Sequence, residues 1–189
     1  MSHSRIINKY IMQLIPDDVI NYKILDVGCG YGEWGYILKV RKKSNYLITG
    51  IDVFEPYIKK LRKFKIYDNL IIADVINYKF NEKYDIILVC EVLEHLKKED
   101  GLKLLNDLEF LYKDKIILSV PYGFTTQNTV DNNIHQKHIS SWNPMDFKNK
   151  KYNVKVIQHP IRLKKILLKL CDTIFKSYYC KKTILAYKD

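Results

Sequence analysis

The sequence predicts an α/β domain built on a doubly wound sheet, and two observations carry that prediction. Short runs of Ile, Leu and Val alternate with segments of helical periodicity, and the runs are unbroken by polar residues, as in strands covered on both faces. The first well-formed run passes directly into three closely spaced glycines and then a helix, the arrangement in which open α/β sheets bind ligands at their strand ends. The chain of 189 residues suits one domain with one core, and residues 1–189 are read as a single unit.

Taken in order, Ser4 to Ile15 sets Ile6, Ile7, Tyr10, Ile11, Leu14 and Ile15 on one helical stripe, closed by Pro16. Lys23 to Val27 is the first strand, followed by the glycines and a helix from Glu33 to Val40. Tyr46 to Val53 is a second strand, Pro56 to Phe64 a helix, Leu70 to Ala73 a third strand and Tyr84 to Cys90 a fourth. Leu93 to Leu111 has helical periodicity, and Lys115 to Val120 is a fifth strand ended by Pro121. The polar stretch Tyr122 to Ser141 is long for a loop without structure, a length usually tied to function. Pro144 suits the first turn of a short helix after Trp142, and Trp142 is expected to pack against the sheet. Tyr152 to Gln158 and Thr183 to Tyr187 are two late strands, with a basic amphipathic helix, Ile161 to Phe175, between them.

Composition narrows the function classes. A 47% hydrophobic and 28% charged make-up is that of a globular chain. Without a secretory-type leader or a long apolar run, a cytoplasmic location is expected. Cysteines 29, 90, 171 and 180 form no C-x-x-C pair and are read as reduced thiols rather than disulfide or zinc ligands. The net charge of +11 is uneven, with eleven basic residues against two acids from Lys150 onward. Such an excess is either a solvated surface or a patch for RNA or an anionic membrane.

The strongest signal is Asp26-Val27-Gly28-Cys29-Gly30-Tyr31-Gly32. Glycines there let backbone approach a ligand closely, but the third glycine of a dinucleotide fingerprint is replaced by Glu33. A carboxylate at that helix start opposes a pyrophosphate and suits a cationic sulfonium with an amino-acid tail. Asp52, twenty positions after Gly32, can accept the two hydroxyls of a ribose, and Asp74 can take an adenine amino group.

On these residues the chain resembles class I S-adenosylmethionine-dependent methyltransferases over nearly its full length. Their D-x-G-x-G-x-G motif matches Asp26, Gly28, Gly30 and Gly32; the ribose acid matches Asp52, with Val53 and Phe54 flanking the adenine. The adenine-side acid matches Asp74, with Val75 beside it, and Glu91 is placed in the donor pocket. The resemblance implies seven strands in the order 3-2-1-4-5-7-6, the last antiparallel. Base-methylating signatures are missing: Cys90-Glu91-Val92-Leu93 stands where [DNS]-P-P-[YF] would, and Cys90 follows Val89 rather than proline, so methylation of DNA bases is not expected.

Glu91-Val92-Leu93-Glu94-His95 and the later His138-Ile139-Ser140-Ser141-Trp142 resemble the E-V-[IL]-E-H and H-x-x-x-W segments of small-RNA 3′-terminal 2′-O-methyltransferases; ubiquinone-pathway O-methyltransferases are similar around the first. On one helical turn, Glu91, Glu94 and His95 stand at i, i+3 and i+4. Two readings follow: Glu91, Glu94, His95 and His138 hold a divalent cation such as magnesium, or they line the pocket without metal. In the second reading His138 or His135 is the general base on a hydroxyl. The function expected is O-methylation of a small-molecule, glycan or lipid-like acceptor. The alternatives are a ribose-directed RNA methyltransferase using the basic C-terminal face, and a donor-binding scaffold without catalysis.

Overall fold

The computed structural model describes residues 5–41, 44–159 and 181–189. Seven strands form one sheet: β1 (Ile20–Val27), β2 (Asn45–Asp52), β3 (Asn69–Ile72), β4 (Tyr84–Cys90), β5 (Tyr112–Pro121), β6 (Asn153–Gln158) and β7 (Lys182–Lys188). Their order is β3-β2-β1-β4-β5-β7-β6. β1 to β5 pair in parallel, and β7 runs antiparallel to both β5 and β6. This is the doubly wound mixed sheet that the sequence predicts.

Alternate residues of each strand feed opposite cores, as the two-residue period of a strand requires. Ile24, Ile48, Ile86 and Leu88 face one side, where α1 (Arg5–Leu14), α2 (Glu33–Arg41) and α3 (Glu55–Arg62) supply Ile7, Ile11, Leu38, Ile58 and Leu61. Leu25, Ile51, Ile87, Val89 and Leu118 face the other, under α4 (Lys98–Glu109) and α5 (Pro144–Lys148), which supply Leu104, Leu105, Leu108 and Phe147. Helices thus cover both faces.

Three elements differ from the sequence reading by three residues or more. β1 starts earlier, at an exposed Ile20, and carries an irregularity beside Asn21, whose φ is +55°. β5 starts at Tyr112 and includes Pro121. The single helix expected from Leu93 to Leu111 is broken: Leu93–His95 is one 3-10 turn, Leu96 is extended, and α4 begins at Lys98. Glu99 and Asp100 then stand in the first turn of α4, where the helix dipole favours acids. The expected helix at Ile161 to Phe175 lies outside the described residues. Among the described residues, no helix is long and apolar enough to cross a membrane.

Register levels the strand tips that build the site. Val27 pairs with Ile51 of β2 and Val89 of β4, so the chain leaves all three strands at one rim.

Candidate active site

At that rim the amides of Gly28 and Cys29 donate to the Ile51 carbonyl at 2.8 and 3.1 Å, folding the glycine turn over the end of β2. Gly28 has φ +66°, and a Cβ there would stand 2.6 Å from Val92 Cγ2. Only glycine meets both conditions. Asp26 lies behind the turn, 1% exposed, accepting from the Tyr67 hydroxyl at 2.6 Å; that hydroxyl in turn accepts from the Gly35 amide at 3.1 Å. This carboxylate therefore braces the turn from beneath.

Asp52 ends β2 and accepts from the amides of Gly30 (2.9 Å) and Phe54 (2.8 Å), which tie it to the glycine turn. Burial pushes its carboxyl above the usual range, and the two amides pull it part of the way back. Asp74, after β3, accepts from the Ile76 amide at 3.0 Å and the Asn77 side chain at 3.3 Å, the local turn chemistry of an aspartate.

These groups border a cleft of two lobes. The larger, about 400 Å³, is lined by Asp52, Val53, Asp74, Val75 and His135, among others. The smaller, about 90 Å³, is lined by Asp26, Gly30, Tyr31, Glu33 and Trp34, among others. Gly28, Glu91, His95 and Gln136 border both, so the lobes meet there.

Glu91 has φ +56°, a strained conformation for a residue with a side chain, and its carboxylate accepts from Ser119 Oγ at 3.2 Å. The strain sits where the two lobes join. It also removes Glu91 from any helical turn, so the expected i, i+3, i+4 convergence does not form. Glu94, His95 and His138 instead converge by themselves, one ligand atom of each lying within 4.8 Å of the others. The four-residue cation set expected from the sequence is thus corrected to three.

The loop after β5 brings His138 in. Trp142, 0% exposed, stacks on Phe147 and donates from Nε1 to Ser140 Oγ at 3.0 Å. With that anchor fixed, the amides of Ile139 and Ser140 donate to the Glu94 carbonyl at 2.8 and 3.2 Å. The H-x-x-x-W spacing thereby sets His138 against Glu94, with Nε2 3.9 Å from Oε1. His138 Nδ1 faces the Thr125 carbonyl oxygen at 2.6 Å, and His95 Nδ1 faces the Lys137 carbonyl oxygen at 3.1 Å. Each Nδ1 therefore carries the hydrogen and leaves Nε2 as the acceptor nitrogen. Both Glu94 oxygens and His138 Nε2 are buried without a hydrogen-bond partner. Burial raises the Glu94 carboxyl well above its ordinary range and lowers His95 to about 4.

Farther along, the same loop crosses to α3, where the Tyr57 hydroxyl donates to Asp131 at 3.1 Å. Asp131 and Asn132 both have positive φ, +54° and +58°, making a tight turn just before Asn133, which lines the larger lobe. Asn133, 1% exposed, accepts from the His135 amide at 3.0 Å and fixes the one-turn helix that presents His135 and Gln136.

Of the residues singled out from sequence, Asp26, the three glycines, Asp52, Val53, Asp74, Val75, Glu91, His95 and His135 meet around this cleft or brace it. Phe54 lines neither lobe and packs edge-on to Tyr57 at 4.7 Å. His138 stands behind the cleft rather than in it, 6% exposed. Tyr31, Tyr57 and Gln136 were not foreseen as lining residues; three-dimensional closure brings them together, and no short-range pattern marks them.

Comparison with known proteins agrees with this geometry. A family described as "Methyltransferase domain" matches residues 24–114. A probable (S)-tetrahydroprotoberberine N-methyltransferase of Papaver bracteatum is 36% identical over 80 residues, 39% of this chain and 22% of its own length. The chain thus matches about a fifth of the length of that curated relative. Magnesium protoporphyrin IX methyltransferase from Synechocystis, solved with its methyl donor bound, superimposes with TM-score 0.61 at 14% identity, over 97% of this chain and 76% of that one. The N-methyltransferase NodS from Bradyrhizobium japonicum gives TM-score 0.60 at 14% identity, over 97% and 93%. Domain match, strand order and glycine turn are together similar to those of class I S-adenosylmethionine-dependent methyltransferases, whose fold the chain shares.

Proposed function

We propose that the chain binds S-adenosylmethionine across the two lobes and transfers its methyl group to a hydroxyl of a small-molecule acceptor at their junction. The observation that carries this reading is the partition of carboxylates: Asp52 and Asp74 border the larger lobe, Asp26 and Glu33 the smaller, and Glu91 their boundary. Adenosine fits the first, an amino-acid tail the second, and a sulfonium is cationic where Glu91 is anionic. Transfer is an in-line displacement: an acceptor lone pair forms the bond to the methyl carbon while the carbon–sulfur pair returns to sulfur. The protein supplies position and charge.

The acceptor proton needs a destination. His95 borders both lobes and is neutral at physiological pH, because burial holds it near 4. Its Nε2 is a weak base, but the oxygen becomes strongly acidic as it takes the methyl group, so a weak acceptor serves. His135, in the larger lobe beside Asp52, is the other expected base; His138 is too deep to touch an acceptor directly.

A divalent cation is the second reading, and the donor set fits one. Glu94, His95 and His138 would hold it, satisfying the orphaned Glu94 oxygens and His138 Nε2. Both imidazoles already have the Nδ1-to-carbonyl support found behind metal-ligating histidines. Such an ion would polarise an acceptor oxygen.

The test is transfer of labelled methyl groups to fractionated cell extract with and without chelator. Label in organic-extractable small molecules that resist acid as ethers do supports the hydroxyl reading. Label in amines moves the acceptor atom to nitrogen, as in the names of the curated relatives. Ribonuclease-sensitive label supports RNA, a reading that otherwise rests on Ile161 to Phe175, outside the described residues. No label in any fraction supports the scaffold.

A further inference from the structure

The junction of the two lobes carries a polar group that the methyltransferase-domain match does not reach. That match ends at residue 114, and the loop after β5 adds Gln136 to Gly28, Glu91 and His95 as residues bordering both lobes. Gln136 closes the one-turn helix Ile134–Gln136, and its main chain is held from two sides. Its amide donates to the Asn133 carbonyl at 3.2 Å, and its carbonyl accepts from Gln127 Nε2 at 2.8 Å. Gln127 lines neither lobe; its own carbonyl accepts from the His138 amide at 3.2 Å, which fixes it in the loop.

The side chain is not committed in this way. Among the described residues the half-buried Gln136 carboxamide makes no hydrogen bond. Glu91 and His95 each have one, with Ser119 Oγ and with the Lys137 carbonyl. The amide oxygen and NH2 group of Gln136 are therefore open to whatever occupies the junction. An amide is polar without charge, so it serves an uncharged partner. The neighbouring charges favour the same partner. Glu91 is the acid at the junction, and no Lys or Arg borders both lobes among the described residues. Lys97 lines the larger lobe only, together with Asp100. A junction so lined attracts the sulfonium and repels a carboxylate or phosphate brought up as acceptor.

We infer that Gln136 holds the methyl acceptor by accepting, through its side-chain oxygen, from an uncharged hydroxyl, and that Gln127 is the residue positioning Gln136. The inference rests on the proposal that methyl transfer takes place at this junction. A hydroxyl hydrogen directed at the amide oxygen leaves an oxygen lone pair for the methyl carbon. The oxygen–carbon bond forms as the carbon–sulfur pair returns to sulfur, and the cationic oxygen then gives its proton to His95. Gln136 takes no proton; it acts by orientation.

The test runs the full chain with labelled S-adenosylmethionine at saturation and rising concentrations of cell extract. Label that stays non-volatile through mild alkali, as an ether does, is the expected product. Label released as methanol marks a carboxylate, and label in an amine marks nitrogen; either would overturn the neutral-hydroxyl assignment. Gln136→Leu keeps the bulk without the hydrogen-bonding groups. It should lower the initial slope of rate against extract about 10- to 100-fold, the scale of a misplaced reactant, and leave S-adenosylhomocysteine affinity by calorimetry within about threefold. Gln127→Leu, outside both lobes, should lower the slope about 3- to 10-fold, and the double variant should be no slower than Gln136→Leu. An unchanged slope in Gln136→Leu, or an equal loss of S-adenosylhomocysteine affinity, would overturn the acceptor role. An unchanged slope in Gln127→Leu would overturn the positioning role. Wild-type protein that binds S-adenosylhomocysteine but labels nothing would instead sink the transfer proposal, and this inference with it.

Discussion

Replacing Gly28 by alanine is the sharpest structural perturbation at the cleft, and its cost has two separable parts. The φ of +66° lies where a residue with a Cβ is disfavoured by about 1–2 kcal/mol. The added Cβ would also meet Val92 Cγ2 at 2.6 Å, and Val92 is only 9% exposed, so relief requires movement in a packed region costing about 1–3 kcal/mol. Together Gly28→Ala should destabilise the chain by about 2–5 kcal/mol. Val92→Ala alone removes two methyl groups, about 1.5 kcal/mol. It also clears the space in front of residue 28, so the double variant should be less destabilised than the sum of the singles by about 1–3 kcal/mol. Denaturant unfolding of all four proteins gives the cycle. Additivity within about 0.5 kcal/mol would refute the claim that the turn is pressed against Val92.

Four further outcomes follow from the site. Asp52→Ala should weaken S-adenosylhomocysteine by more than about tenfold in calorimetry, since a charged acceptor for the ribose is lost. Burial raises Asp52 above its usual 3.8, so its contribution to ligand-free stability is fully present below that unfolded value and is lost as pH rises through the folded value. Donor affinity runs the other way, because ribose hydroxyls favour the carboxylate. A pH series should show it flat near neutrality and falling on acidification, and a rise would contradict the assignment. Tyr57→Phe removes the hydroxyl that ties Asp131 to α3 and should speed donor release about 3- to 10-fold in stopped-flow. An unchanged rate would show that the Tyr57–Asp131 contact does not hold the donor in place. Trp142→Ala should cost about 3–5 kcal/mol in denaturant unfolding, because the ring is fully buried against Phe147 and Gly101; a loss below about 1 kcal/mol would show that the loop does not depend on it.

The parts of the site legible in sequence are those held by one element. Asp26, the glycines and Asp52 follow directly from strands whose apolar runs announce burial on both faces, and register then levels their tips. Glu91, Glu94 and His95 were misplaced relative to one another because helical periodicity from Leu93 onward conceals a change of conformation. The positive φ at Glu91 and the extended Leu96 break the spacing rule on which the convergence rested. His138 illustrates the opposite limit. Its proximity to Glu94 is implied by the family resemblance of the His138-x-x-x-Trp142 segment, but its depth is not, since that depends on a buried tryptophan and two loop amides on the Glu94 carbonyl. Gln136 left no sequence signal, as the Gln127 bond that holds it spans nine residues of loop.

The central claim is that a nucleoside thioether with an amino-acid tail occupies both lobes at once. Calorimetric titration of the wild-type chain with S-adenosylhomocysteine tests it most directly. One site per chain, lost in Asp52→Ala, is the result the geometry predicts. No heat with that ligand, alongside tight uptake of a nicotinamide or flavin dinucleotide, would contradict it.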